Sequence, residues 1–368
     1  MEEVPCVIAR GGTSKGIFLN QRDLPDDRRQ RDLLITKLFG RDNQRQIDGL
    51  GGGDPLTSKV AILSPPSCPD VDVEYLSGEV CLYGTAVNYG ITCGNLLAAV
   101  GPAAARLGIL NAEALGRPIT VHGRNSNSCV RVEYPAEAYC PAGRSMDARL
   151  IFEQPAGVCT GQLLPTGSAE DRLKVLGRTV DFSVVDAGAV YAFLDAGQLG
   201  ISGGTPRAID EMCELKLFVE AFREQVTKLL NQRLSNSAPM GTGSVKVALV
   251  ADPEVWSASC EGGFMVGDHG DDPSSVDIVG RILNRANTHK AYAVSGAIAT
   301  SVASSIEGTV PNRLRSSTAD FDEFRIGHPE GVLRVGLTFA DTGGAKTVKN
   351  ARLTRSARIL MCGTGFAG

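Results

Sequence analysis

Cys93-Gly94-Asn95-Leu96-Leu97-Ala98-Ala99-Val100 and Ser295-Gly296-Ala297-Ile298-Ala299-Thr300-Ser301-Val302 are one pattern written twice. Each run opens on a small polar side chain, continues with glycine, and then gives an alanine-rich apolar stretch of about two helical turns. The copies stand a little over half the chain apart. We read them as the central helices of two similar domains, each helix wrapped by strands, with its N-terminus facing a shared cleft. Chance likeness between two alanine-rich helices is the competing reading.

Around these runs the chain has the texture of strands. Short apolar or alternating stretches broken by Gly and Pro predict strands at Val4–Arg10, Lys59–Ser64, Val71–Leu76, Cys129–Tyr134, Arg149–Glu153, Phe182–Leu194, Val245–Ala251 and Val332–Phe339. In Cys129–Tyr134 the apolar residues alternate, the period of a half-buried antiparallel strand. Helices are expected near Pro25–Phe39, Cys93–Leu107, Pro206–Leu230 and Ser295–Ile306. Gly108 suits a helix stop, and Thr205-Pro206 suits a helix start.

The chain's 368 residues exceed one compact core, so two domains are expected. With 43% hydrophobic and 21% charged residues the composition is that of a water-soluble globular protein. A net charge of −4 gives no basic face for nucleic acid, and anionic ligands must be captured by local groups. No apolar run reaches the roughly 20 residues of a membrane span, and no signal segment follows Met1. The ten cysteines form no CxxC pair, and the four histidines have no metal-ligand spacing. Reduced thiols, a cytoplasmic location and no metal are therefore expected.

Two motifs fail their context. Gly12-Thr13-Ser14-Lys15-Gly16 fits G-x-S-x-G, but Ile17-Phe18-Leu19 reads as strand where a nucleophile elbow needs a helix. A Gly-rich strand connection that grips a carboxylate fits better. Gly363–Gly368 fits G-x-G-x-x-G without a following helix, and reads as a flexible tail.

The groups that carry chemistry are fewer. Cys93, read at the start of a helix, would feel the positive end of the dipole, which favours its thiolate; otherwise it is a small buried residue. Lys59 follows Gly51-Gly52-Gly53 and opens a strand; it is either a solvated strand end or an amine in a cleft that moves protons. Asn125 and Ser126 are turn residues or polar donors to a ligand. His289 either orients a carboxylate or is structural.

Together these runs resemble the PrpF family of 2-methylaconitate isomerases, whose relatives act on methylitaconate, aconitate and oxalomesaconate. The resemblance rests on Arg10–Gly16, Asp48-Gly49 with Gly51–Gly53, Thr57–Lys59, Cys93–Leu96, Val100–Pro102, Leu164–Gly167, His289–Tyr292, Ser295–Ala297 and Gly327–Pro329 with Gly331. It runs in order from about residue 4 to about residue 361.

It implies an α+β, diaminopimelate-epimerase-like fold of two pseudo-symmetric domains, each a mostly antiparallel sheet around a central helix. We set these at residues 1–180, with about 350–368 returning to them, and 181–349. It also implies cofactor-independent, allylic 1,3-proton transfer in an unsaturated di- or tricarboxylate. Cys93 and Lys59 would move the proton. Thr13, Ser14, Lys15, Gly94, Asn95, Asn125, Ser126, His289, Ser295 and Gly296 would grip the substrate. A homodimer is compatible with this reading.

Ser295 in the second copy disfavours two-thiol racemase chemistry. The family commonly reads Asp-Ala-Gly-Asn-Pro where this chain has Asp186-Ala187-Gly188-Ala189-Val190. That departure keeps two alternatives open: diverged chemistry on the same fold (epimerase, tautomerase or cyclase), or a non-catalytic protein that binds polycarboxylates.

Overall fold

The computed structural model describes residues 2–41, 43–82, 86–90, 93–135, 144–201, 206–234, 239–255, 276–284, 287–342 and 345–368. The expected helix start at Thr205 lies outside them. The chain forms two compact units, Met1–Glu153 with Leu353–Gly368, and Gln154–Arg352. The boundary thus falls earlier than residue 180. Asp171–Val175 pairs with Arg178–Asp186, which pairs in turn with Val190–Asp195, so hydrogen bonding commits that stretch to the second unit.

The first unit runs β1 (Glu2–Gly11), β2 (Ser14–Asn20), α1 (Arg28–Phe39), β3 (Lys59–Ser64), β4 (Val73–Val80), β5 (Val87–Asn88), α2 (Leu97–Arg106), β6 (Ile119–Gly123), β7 (Ser128–Glu133) and β8 (Met146–Glu153). The second runs β9 (Asp171–Val175), β10 (Arg178–Asp186), β11 (Val190–Asp195), α3 (Pro206–Asp210), α4 (Cys213–Arg233), β12 (Lys246–Ala251), β13 (Ile278–Leu283), α5 (Val294–Ser305), α6 (Val310–Leu314), β14 (Phe324–His328) and β15 (Gly331–Thr342). The last strand, β16 (Ala345–Ala367), gives residues 345–352 to the second unit and residues 353–367 to the first.

In the first unit the strands follow the order β1-β2-β3-β4-β6-β7-β8-β16, and β16 pairs with β1, so the sheet closes on itself. The second unit has the order β9-β10-β11-β12-β13-β14-β15-β16. Both units follow one plan. A hairpin (β1-β2, β10-β11) leads through a helix (α1, α4) to a parallel partner (β3, β12). A second hairpin leads through the central helix (α2, α5) to another parallel partner (β6, β14). The repeat read from the two alanine-rich runs is therefore a repeat of topology.

The small residues have a packing reason. Helix α2 touches β1, β2, β4, β6, β7 and β8, and Ala98, Ala99, Ala103 and Ala104 are fully buried. A side chain at Gly101 would meet the Tyr134 ring at 2.7 Å; instead the Gly101 N–H donates to the Tyr134 hydroxyl at 2.9 Å. On the other sheet face, Ile17, Leu19, Val60 and Ile62 pack against Leu34, Ile35, Leu38 and Phe39 of α1. Strand β3 is covered on both faces, which explains its unbroken apolar run.

Three local expectations are corrected. The helix expected at Cys93–Leu107 begins at Leu97. The helix expected at Pro206–Leu230 is two helices, interrupted at Glu211-Met212. Gly363–Gly368 is no tail: Gly363 and Gly365 sit in β16 opposite Cys6 and Val4. Among the described residues, no helix is long and apolar enough to cross a membrane.

Candidate active site

The register of the first unit decides which side chains share a face. Gly16 of β2 lies opposite Lys59 of β3, which lies opposite Glu79 of β4. Directly paired residues point to the same side and alternate ones repeat it, so Ser14, Lys59, Ser77 and Glu79 all belong to the face that carries α2. The Cys93 loop meets this face. Its thiol donates to Ser14 Oγ at 3.6 Å, its N–H to Ser77 Oγ at 3.1 Å, and its carbonyl accepts from Tyr75 Oη at 2.9 Å. Burial, and then nearby Cys93, push the Tyr75 hydroxyl well above its usual range, which keeps it a donor. Lys59 Nζ pairs with Glu79 Oε2 at 3.3 Å. Cys93 and Lys59 are each 8% exposed.

The electrostatics expected at Cys93 need correcting. Its N–H and C=O are tied to β4, and Gly94-Asn95-Leu96 form a turn before the helix starts. The thiol therefore lies a turn ahead of the helix end, where the dipole has largely faded. The thiol bonds the Ser14 hydroxyl instead.

Asn95, 5% exposed, ties the loop to the β1–β2 turn. Its Nδ2 donates to Thr13 Oγ1 at 3.1 Å and its Oδ1 accepts from Arg355 Nε at 3.1 Å. Gly94 is the residue between Cys93 and Asn95 in this turn. Thr13 and Ser14 thus lie with Cys93. Lys15 does not: it pairs with Arg10 across the hairpin, and alternation turns it to the opposite face.

Asn125 and Ser126 are also corrected. The Asn125 Oδ1 accepts from Ser77 N–H at 2.9 Å, and its Nδ2 donates to the carbonyls of Ser77 at 2.8 Å and Tyr89 at 2.5 Å. Its amide braces the strand behind Cys93. Ser126 bonds Ser128 Oγ at 2.7 Å inside the β6–β7 turn. The glycines after Asp48 serve their own loop. A Cβ at Gly51 would collide with Gln46 Oε1 at 2.0 Å, and that oxygen accepts from Gly53 N–H and Ser58 Oγ at 3.0 and 2.6 Å.

Ser295, Gly296 and His289 belong to the second unit. Ser295 lies within the first turn of α5, with Lys246 Nζ 3.3 Å and Tyr191 Oη 3.2 Å from its Oγ. Lys246 opens β12 as Lys59 opens β3, and it is not among the site residues expected from the sequence. A Cβ at Gly296 would meet Ile282 at 2.5 Å and Tyr191 at 3.0 Å, so that glycine admits neighbours of α5. His289 Nδ1 accepts from the Ala291 N–H at 3.1 Å.

The Asp186–Val190 departure has a local meaning. Asp186 Oδ2 accepts from the Cys159 and Thr160 N–H groups and from Thr160 Oγ1 at 2.7–2.8 Å. Desolvation of its sulfur and then nearby Asp186 push the Cys159 thiol up to about 11, although the residue as a whole is exposed, and the Val190 N–H, which a proline would lack, works against that rise. The eight described cysteines are all free.

The family model described as PrpF protein matches residues 1–367. The chain belongs to the PrpF family. A relative from Eubacterium barkeri, named 3-methylitaconate isomerase, is 34% identical, with 98% of this chain and 96% of the relative covered. A crystal structure of methylitaconate-delta-isomerase superposes with TM-score 0.75 at 32% identity, over 98% of this chain and 95% of that one. A hydroxyproline epimerase from Agrobacterium vitis, with TM-score 0.56 at 13% identity over 99% of this chain and 92% of that one, shares the fold alone. The PrpF chain thus has the two-domain, epimerase-like architecture.

Proposed function

We propose that this protein is an isomerase that shifts a C=C bond by allylic 1,3-proton transfer in a small unsaturated di- or tricarboxylate. The reading draws on the PrpF membership and on a relative named 3-methylitaconate isomerase. The observation that carries it is the placement of Cys93 and Lys59 on one face of the first unit. The thiol reaches Ser14, two residues along β2 from Gly16, the residue opposite Lys59.

In this scheme one of the pair, in its basic form, takes a proton from the allylic carbon beside a carboxylate. The electron pair spreads into a dienolate-like anion, and the other group, in its acidic form, delivers a proton to the far carbon. The double bond moves by one position and no electron is gained or lost. Tight-turn N–H groups and hydroxyls at Thr13 and Ser14 suit the charge that develops on the carboxylate. Glu79 holds the Lys59 ammonium in place, and Tyr75 and Ser77 fix the Cys93 backbone. The scheme calls on no cofactor.

The test is Cys93→Ser and Lys59→Met, made separately, with methylitaconate, methylaconitate and trans-aconitate in D2O. Isomerisation and deuterium uptake should fall by at least about 100-fold in each variant. Wild-type rates of exchange in both variants would overturn the assignment of the two groups. No turnover of any of these acids by the wild type would overturn the substrate class.

A further inference from the structure

Four cationic side chains lie near the β1–β2 turn, and the register separates one of them. Arg10 is opposite both Lys15 and Arg358, so all three share the face turned away from Cys93. Arg10 is fixed there on Ser356 Oγ and Ser145 Oγ, at 2.9 and 3.0 Å. Arg355 is two residues before Ala357, which lies opposite Gly11, and Gly11 packs on the Asn95 backbone. Arg355 is therefore the arginine of this group on the thiol's face.

Its guanidinium is oriented. Nε donates to Asn95 Oδ1 at 3.1 Å, and Nη1 donates to the Thr354 carbonyl at 3.2 Å. The same Asn95 is held by Thr13, whose neighbour Ser14 takes the Cys93 thiol. A chain of contacts thus runs from sulfur through the turn to the guanidinium. Gly12 is shaped for it: with φ at +50°, a Cβ there would meet Asn95 Oδ1 at 2.7 Å and Arg355 Cδ at 3.0 Å. The arginine stem lies packed on the turn. A planar, permanently charged fork held this way matches a carboxylate in geometry and sign.

We propose that Arg355 binds a substrate carboxylate outside the reacting three-carbon unit, and so sets the preference for acids carrying more than one carboxylate. This rests on the function proposed above, with the groups of the first unit. Arg355 is a binding residue and moves no proton.

The test compares wild type, Arg355→Lys and Arg355→Gln on methylitaconate and on its monoamide at the carboxylate of the central alkene carbon, the one that takes up none of the developing charge. With the diacid, Arg355→Gln should raise KM by about 10- to 100-fold, and Arg355→Lys should recover part of the loss. With the monoamide the three proteins should have similar kcat/KM, since the group that Arg355 reads is gone. Equal losses on both compounds would mark a structural role and overturn the proposal.

Equilibrium binding of tricarballylate, a saturated tricarboxylate, separates this from failure of the isomerase reading. Should no acid turn over, binding at least about tenfold weaker in Arg355→Gln would still support the carboxylate site. Equal binding, or none by the wild type, would remove it.

Discussion

Asn125 pairs with both backbone polar groups of Ser77. The amide accepts the Ser77 N–H at 2.9 Å and donates to the Ser77 carbonyl at 2.8 Å, while Ser77 Oγ receives the Cys93 N–H at 3.1 Å. A residue of the β6–β7 turn thereby fixes the loop that carries the thiol. Asn125→Ala leaves backbone groups of β4 and the Tyr89 carbonyl without their partner. A loss of about 1–3 kcal/mol in urea unfolding is expected, with a fall in turnover that Asn125→Asp does not repair, because a carboxylate cannot donate to the two carbonyls.

Tyr75→Phe tests the other support of the loop. The ring is fully buried, and the variant keeps its volume while orphaning the Cys93 carbonyl. Chemical denaturation should report a loss of about 1–3 kcal/mol. An unchanged midpoint would mean that the carbonyl finds another donor.

Gly11→Ala against Gly116→Ala separates a required glycine from an incidental one. A Cβ at Gly11 would lie 2.3 Å from the Asn95 carbonyl oxygen, whereas nothing lies within 4 Å of one at Gly116. Gly11→Ala should lower stability by about 1–3 kcal/mol or more and displace the Cys93 turn, with loss of activity. Gly116→Ala should melt within a degree or two of wild type, as surface changes usually do.

Acid titration should expose Asp186. Burial raises its carboxyl above the ordinary 3.8, against the donors from Thr160 and Cys159. The folded chain then holds that proton more tightly than the unfolded chain. The stabilisation from this group is full below 3.8 and is lost as pH rises through the raised value. Thermal melts of wild type and Asp186→Asn between about pH 3 and pH 7 should show the wild type losing ground to the variant as pH rises. Parallel curves would contradict this.

The sequence disclosed the repeat because packing imposes it: a helix inside a ring of strands must be built from small residues, and Ala98, Ala99 and Gly101 say so. It also disclosed β1, β3 and α1, whose periods follow from which faces are covered. It did not disclose strand register, and register decides the site. Lys15 and Ser14 are adjacent in sequence yet face opposite ways; Arg355 and Lys246 look like ordinary strand cations until pairing assigns their faces. Asn125 looked like a ligand donor because nothing local reveals that a distant strand uses its amide. The late start of α2 was hidden too, since the hydroxyls of Tyr75 and Ser77 that hold the Cys93 backbone come from β4.

Strand β16 sets an order on biosynthesis. The first unit's ring is closed by residues 353–367, so the N-terminal half has no complete barrel while it emerges from the ribosome. The second unit is one uninterrupted stretch, Gln154–Arg352, and has all its strands earlier. The N-terminal unit therefore lacks the head start that vectorial synthesis usually gives an N-terminal domain. Until the last strand arrives, β1 and β8 each lack one partner, and such open edges are the kind that pair with other chains.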